Sequence, residues 1–273
     1  MHRSWRPLVA AFGLVMSLGG CHAAPDTVAI FCGGHPGSDT GTDAGVSQGL
    51  VASFSCDQSA GPTLPDFSVK NHNAVLVTGT GGTGGYSFAP GRSGNASGNA
   101  SGNALVLTAA NEGYAALPAG ILANACEATI ATWVNITTQV NYQRVWDFGW
   151  DSTVYMYLTT SDAIKMPRFG ISIAGNGSHE FGIDGQSTLP VGEWHHLAVV
   201  LGPSGVFLYV DGQQAGADAT IPLRPADLGS TPNNFIGRSQ FSVDAYLDGA
   251  IDDFRVYDRA LSPREIQTLV SGT

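Results

Sequence analysis

The chain is predicted to fold as an all-β, antiparallel two-sheet β-sandwich carrying one short C-terminal helix. Three observations predict this. Eleven short segments read as strands, several with apolar and polar residues in alternation. Glycine is abundant (36 of 273 residues) while only 12% of residues are charged, as many short strands joined by tight turns require. Helical periodicity is confined to one stretch near residue 266.

The strand-like segments, in order, are 50–54, 74–77, 104–107, 129–134, 144–148, 154–158, 169–173, 194–200, 206–210, 234–237 and 250–257. In 154–158 the aliphatic residues fall on one face and Tyr155 and Tyr157 on the other. Asp211-Gly212 after Tyr209-Val210 signals a hairpin turn, because glycine tolerates positive φ. Trp133 and Trp194, in alternating apolar segments, are expected in the core. Ser262-Pro263-Arg264-Glu265 has the form of a capping box, Ile266, Leu269 and Val270 supply an apolar stripe, and Gly272 can close the helix.

Residues 1–20 read as an export signal. His2, Arg3 and Arg6 form a basic start, and an apolar run follows that is too short for a permanent membrane span. Leu18-Gly19-Gly20-Cys21 resembles a bacterial lipobox, which makes Cys21 the lipidation candidate; an ordinary cleaved signal is the alternative. Either reading exports the protein, and the first anchors it in the bacterial cell envelope, at the outer membrane or cell surface. Residues 21–45 are small and polar and are expected to form a flexible tether, with residues 46–273 as the folded domain. In an oxidising compartment Cys32, Cys56 and Cys126 are the disulfide candidates, Cys32–Cys56 and Cys56–Cys126 being the competing pairs. The net charge of −10 argues against nucleic acid, whose phosphates need a basic face.

Four stretches, read together over about residues 46–271, resemble the laminin-G-like, concanavalin-A-like jelly-roll family of bacterial secreted proteins. They are the segment from Phe54 through Ala74, Gly102-Asn103-Ala104-Leu105-Val106-Leu107, Trp194-His195-His196-Leu197-Ala198 with Leu208-Tyr209-Val210-Asp211-Gly212, and Ile236-Gly237-Arg238-Ser239 with the run from Leu247 to Ser262. The resemblance implies a jelly-roll sandwich of a kind often used as a non-catalytic module on glycan-degrading enzymes or as an adhesion protein. The segment 144–149 looks most like modules of arabinan- and xylan-active hydrolases. The resemblance also implies a structural Ca²⁺ held by Asp66, Asn71 and Asp252. Val69 and His72 stand where the family loop usually has glycine. Asp252 is expected to share a side with Phe254, and a buried carboxylate needs a metal or a partner such as Arg255 or Arg238.

A sugar stacks its apolar ring face on an aromatic and hydrogen-bonds its hydroxyls to planar polar groups. Arg144, Asp147, Trp150, Tyr155 and Tyr157 are the residues expected to do this, with Arg168 nearby. No catalytic pattern is evident: the paired carboxylates of sandwich glucanases and the Gly-x-Ser-x-Gly elbow are both missing, and His179-Glu180 reads as an isolated loop pair. The expected function is therefore a lipid-anchored module that binds a carbohydrate. A glycan-active hydrolase or lyase on the same scaffold and a structural envelope protein that binds another protein are the alternatives.

Overall fold

The computed structural model describes residues 45–79, 83–92, 102–175 and 179–272. The expected export signal, Cys21, Cys32 and most of the expected tether lie outside them. The strands are β1 (Leu50–Phe54), β2 (Thr63–Leu64), β3 (Ala74–Val77), β4 (Tyr86–Pro90), β5 (Asn103–Leu107), β6 (Tyr114–Leu117), β7 (Ala128–Ile136) and β8 (Arg144–Gly149). They continue with β9 (Tyr155–Thr159), β10 (Arg168–Ser172), β11 (Phe181–Asp184), β12 (Trp194–Gly202), β13 (Gly205–Val210), β14 (Gln213–Asp218), β15 (Asn233–Ile236) and β16 (Gly249–Tyr257). One α-helix, α1 (Pro263–Ser271), follows.

The strands form two antiparallel sheets. The back sheet has the order β14-β13-β12-β7-β16-β5-β4, with β1 also paired to β16. The front sheet has the order β11-β10-β9-β8-β15-β6-β3-β2. The core lies between them, where Leu105, Ile130, Val134 and Phe254 meet Trp146, Phe148, Met156, Leu158 and Phe169. All eleven expected strands are present. The five others are β2, of two residues, the small-residue β6, the glycine-containing β11 and β14, and β4, which ends in Pro90. Each lacks the apolar run or the β-branched alternation that marks a strand in a sequence.

Asp211 and Gly212 both adopt positive φ (51° and 77°) between β13 and β14, as the primed hairpin turn demands. At α1 the Ser262 hydroxyl accepts from the Glu265 N–H, and the Glu265 carboxylate accepts from the Ser262 N–H. Gly272 ends the helix in the left-handed region. The apolar stripe of α1 does not face the main core. Ile266 and Leu269 bury themselves against Ala131, Ala198, Val200, Tyr209 and Tyr257 on the outer face of the back sheet, each contributing about 1.5–3 kcal/mol. Val46 and Leu50 join the same cluster.

Three expectations are corrected. Trp133 is buried as expected but outside the main core cluster, its ring edge-on to His196 and under the Arg92 guanidinium, 3.9 Å from its centroid, while Trp194 is only half-buried and belongs to neither core cluster. Asp252 does not share a side with Phe254. The register shifts between Asp252 and Arg255, with Asp253 at φ 49°, and this bulge leaves Phe254 in the core while Asp252 pairs across from Trp133. Arg255 grips Asp253 through both carboxylate oxygens, and Arg238 donates to the Tyr114 hydroxyl, so neither is the partner of Asp252. Finally, Cys56 is a free, buried thiol, which removes both disulfide pairs that used it. Burial first, then the charge of Asp252, push its pKa up and keep it protonated. Cys126 is not among the free thiols of the described residues.

Candidate ligand cleft

The outer face of the front sheet carries a cleft of about 350 Å³, at the small end of the range for ligand sites. Its floor comes from β8, β9 and β10. Alternation sends Met156 and Leu158 into the core and Tyr155 and Tyr157 to the opposite face. Those tyrosines are nevertheless almost wholly buried, because side chains from neighbouring strands and loops lie over them.

Arg144 and Asp147 are three positions apart and would face opposite ways in a regular strand. The register of β8 on β9 shifts between Arg144 and Trp146, so that Val145 and Trp146 both enter the core. The inserted residue brings Arg144 and Asp147 to one face, Nε to Oδ2 at 3.3 Å. Asp147 is fully buried beneath the cleft. Its Oδ2 also accepts from the Gln240 N–H at 3.1 Å, which ties down the loop after β15. Burial drives the Asp147 pKa up to about 7 against the pull of Arg144. Arg144 itself is only 3% exposed: it ion-pairs with Asp244 at 2.9 Å and lies 3.8 Å from the Tyr157 ring centroid. It organises the cleft from within.

Glu180 is the hub at the other end. Its Oε2 accepts from the Tyr155 hydroxyl at 3.0 Å and its Oε1 from the Tyr157 hydroxyl at 3.1 Å. Arg168 ion-pairs with Glu180 at 3.0 Å and with Asp184 at 2.6 Å. The Tyr157 pKa is pushed up by burial and then by the Glu180 charge, and that of Arg168 is raised by its carboxylate partners against burial. Phe241 meets Tyr155 edge-on at 5.2 Å, and Tyr142, in the left-handed region at φ 63°, completes the aromatic lining with Asp162 beside it. A bulky residue in that region is strained, and strain of this kind concentrates at ligand sites.

Two glycines make the arrangement possible. A Cβ on Gly170 would lie 2.6 Å from the Tyr157 ring and 2.8 Å from the Glu180 carboxyl carbon. On Gly182, opposite Gly170 in the ladder, it would meet the Arg168 guanidinium. Bare backbone at both positions lets the long side chains lie across the sheet. Gly170→Ala is expected to displace Tyr157 and Glu180 and to cost about 1–3 kcal/mol of stability, read by thermal melting together with ligand affinity.

The expected ligand residues therefore part company. Arg144, Tyr155 and Tyr157 line the cleft, and Asp147 underlies it. Trp150 does not reach it; its indole N–H donates to the Leu228 carbonyl at 2.9 Å. Sequence reasoning dismissed Glu180 and did not reach Tyr142, Asp162, Phe241 or Asp244. A usable signal did exist: Arg168-x-Gly170 and Glu180-x-Gly182-x-Asp184 put charged side chains and glycines in step on two neighbouring strands.

The proposed calcium ligands are placed as follows. Asp66 sits in the loop between β2 and β3, where its carboxylate accepts from the N–H groups of Ser53 (2.8 Å), Ser68 (2.8 Å) and His72 (2.7 Å) and lies 2.7 Å from the Ser68 hydroxyl. Burial alone would raise its pKa, but these donors outweigh it and hold the pKa below the ordinary value. Asn71 is exposed, in the left-handed region. Asp252 is buried, with Oδ2 accepting from the Arg92 N–H at 3.1 Å and Oδ1 unpartnered. Among the described residues no group of three or more acidic, His or Cys side chains is arranged to hold a metal. Asp66 does not fit a calcium ligand, because a carboxylate has about four acceptor positions and donors occupy them. Adding Ca²⁺ or EDTA is expected to leave the melting temperature unchanged. Asp66→Ala, which strips an acceptor from three N–H groups, is expected to cost about 2–3 kcal/mol in denaturant unfolding.

Residues 109–267 match the Laminin_G_3 family of the concanavalin A-like lectin/glucanases superfamily, and the chain belongs to that family. Domain 4 of AbnA, an extracellular arabinanase from Geobacillus stearothermophilus solved with arabinotriose, has the same fold (TM-score 0.65, 20% identity, 81% of this chain and 98% of that one). So do the Trypanosoma rangeli sialidase in complex with the inhibitor DANA (TM-score 0.55, 17% identity, 81% of this chain and 32% of that one) and the botulinum neurotoxin serotype C1 binding domain (TM-score 0.58, 12% identity, 83% and 52%). This chain thus spans about a third of the sialidase and half of the toxin domain. No curated protein matches the sequence. The jelly-roll sandwich is shared by enzymes and by binding domains.

Proposed function

We propose that this protein binds a carbohydrate in the cleft on the outer face of the front sheet, without catalysing a reaction on it. The observation that carries the reading is the cleft itself: an aromatic lining (Tyr142, Phe241 and the tyrosine floor) set beside fixed planar polar groups (Arg168 and Glu180). That combination stacks a sugar ring and fixes its hydroxyls. The fold shared with a domain solved with arabinotriose supports it. Export and anchoring through a lipid on Cys21 belong to the same proposal, and would present the cleft to glycans outside the cell. Loss of fatty-acid labelling in Cys21→Ser tests the anchor.

One observation favours a hydrolase instead: three carboxylates, Asp162, Glu180 and Asp244, line one cleft, and glycosidases act through a carboxylate pair. Calorimetry against a panel of plant and bacterial oligosaccharides, with products followed by release of reducing ends, separates the two. Binding with no new reducing ends is expected. Release that disappears in Glu180→Gln would replace the binding reading with the enzymatic one.

A further inference from the structure

We infer that the cleft selects uncharged glycans and rejects acidic ones, those bearing uronate or sialate groups. The inference deepens the glycan-binding reading and rests on it. Two cations, Arg144 and Arg168, line the cleft among the described residues, and neither is free for an anion. Arg144 is 3% exposed and held by Asp147 and Asp244. Arg168 is 22% exposed and held by Glu180 and Asp184. Lys165, just outside, is engaged with the Asn141 side chain at 2.7 Å. Against those two cations stand Asp162, Glu180 and Asp244 in the lining, with Asp184 at its edge on Arg168.

A sugar carboxylate entering here would have to displace a protein carboxylate from a guanidinium. That leaves the displaced group unpaired next to a second negative charge, and like charges brought together at an interface oppose binding. A hydroxyl has no such conflict. It can donate to Glu180 or Asp244, or accept from guanidinium N–H groups that their present partners leave over, since guanidinium carries five.

The test is calorimetry of the full chain at low salt against matched probes: neutral arabino-, xylo- and manno-oligosaccharides, and acidic oligogalacturonate and sialyllactose. The expected result is binding of a neutral probe about tenfold or more tighter than either acidic one. Its affinity should change little between low and about 0.5 M salt, since no net charge is neutralised. Asp244→Asn, which releases one hold on Arg144, should narrow the gap by raising affinity for oligogalacturonate several-fold. An acidic probe bound as tightly as the neutral ones by the wild-type chain overturns the inference while leaving the cleft as a glycan site. Binding of neither class removes the glycan reading and the inference with it.

Discussion

Arg144→Met is expected to lower stability by about 3–5 kcal/mol, the usual cost of stranding one member of a buried ion pair. Asp147 is fully buried, and Arg144 is the one cation paired with it. The deficit should also depend on pH in a defined way. The Asp147 pKa stands at about 7 in the folded wild type against 3.8 for the unfolded group. A raised carboxylate pKa means stability that is fully present below pH 3.8 and lost as pH climbs towards 7. Without Arg144 the folded pKa moves higher still, so the variant goes on losing stability past pH 7, where the wild type has levelled off. Urea unfolding at about pH 6 and about pH 9 should therefore show the gap between the two proteins widening at the higher pH. A gap of constant size would mean that Asp147 does not depend on Arg144 for its charge.

Glu180→Ala should have the largest effect on binding. One carboxylate receives both tyrosine hydroxyls and an arginine. Truncation leaves the buried Tyr157 hydroxyl and part of Arg168 without an acceptor, costing about 1–3 kcal/mol of stability. The freed side chains then lose their common orientation. Affinity for whichever oligosaccharide the wild type binds should fall about 100-fold, or about 2.7 kcal/mol. Glu180→Gln keeps an acceptor and the shape, and should fall between the two. Wild-type affinity in Glu180→Ala would show that the ligand sits elsewhere on the domain.

The sequence made the fold legible because burial between two sheets imposes a period of two, and that period survives in 154–158, 194–200 and 250–257. It also placed Tyr155 and Tyr157 on one face. What it hid were departures from that period. The bulge in β8 sets Arg144 and Asp147 side by side where simple alternation separates them, and the bulge in β16 turns Asp252 away from Phe254. Neither has a glycine to announce it. Phe241 and Asp244 come from a loop whose position over the sheet depends on a hydrogen bond to buried Asp147, a contact spanning more than ninety positions in the chain. The position of Glu180 was readable in principle, from glycines in step on adjacent strands, but only after β11 is recognised, and its four residues carry little strand character.

Strand β1 lies along β16, and Val46 and Leu50 settle with α1 on the outer face of the back sheet. The cleft opens from the outer face of the front sheet, on the far side of the sandwich. A support coupled to the chain just ahead of residue 45 would therefore hold the domain from behind, as a wall bracket holds a plate. On the glycan-binding proposal, the cleft would then face away from that support, open to long polymers.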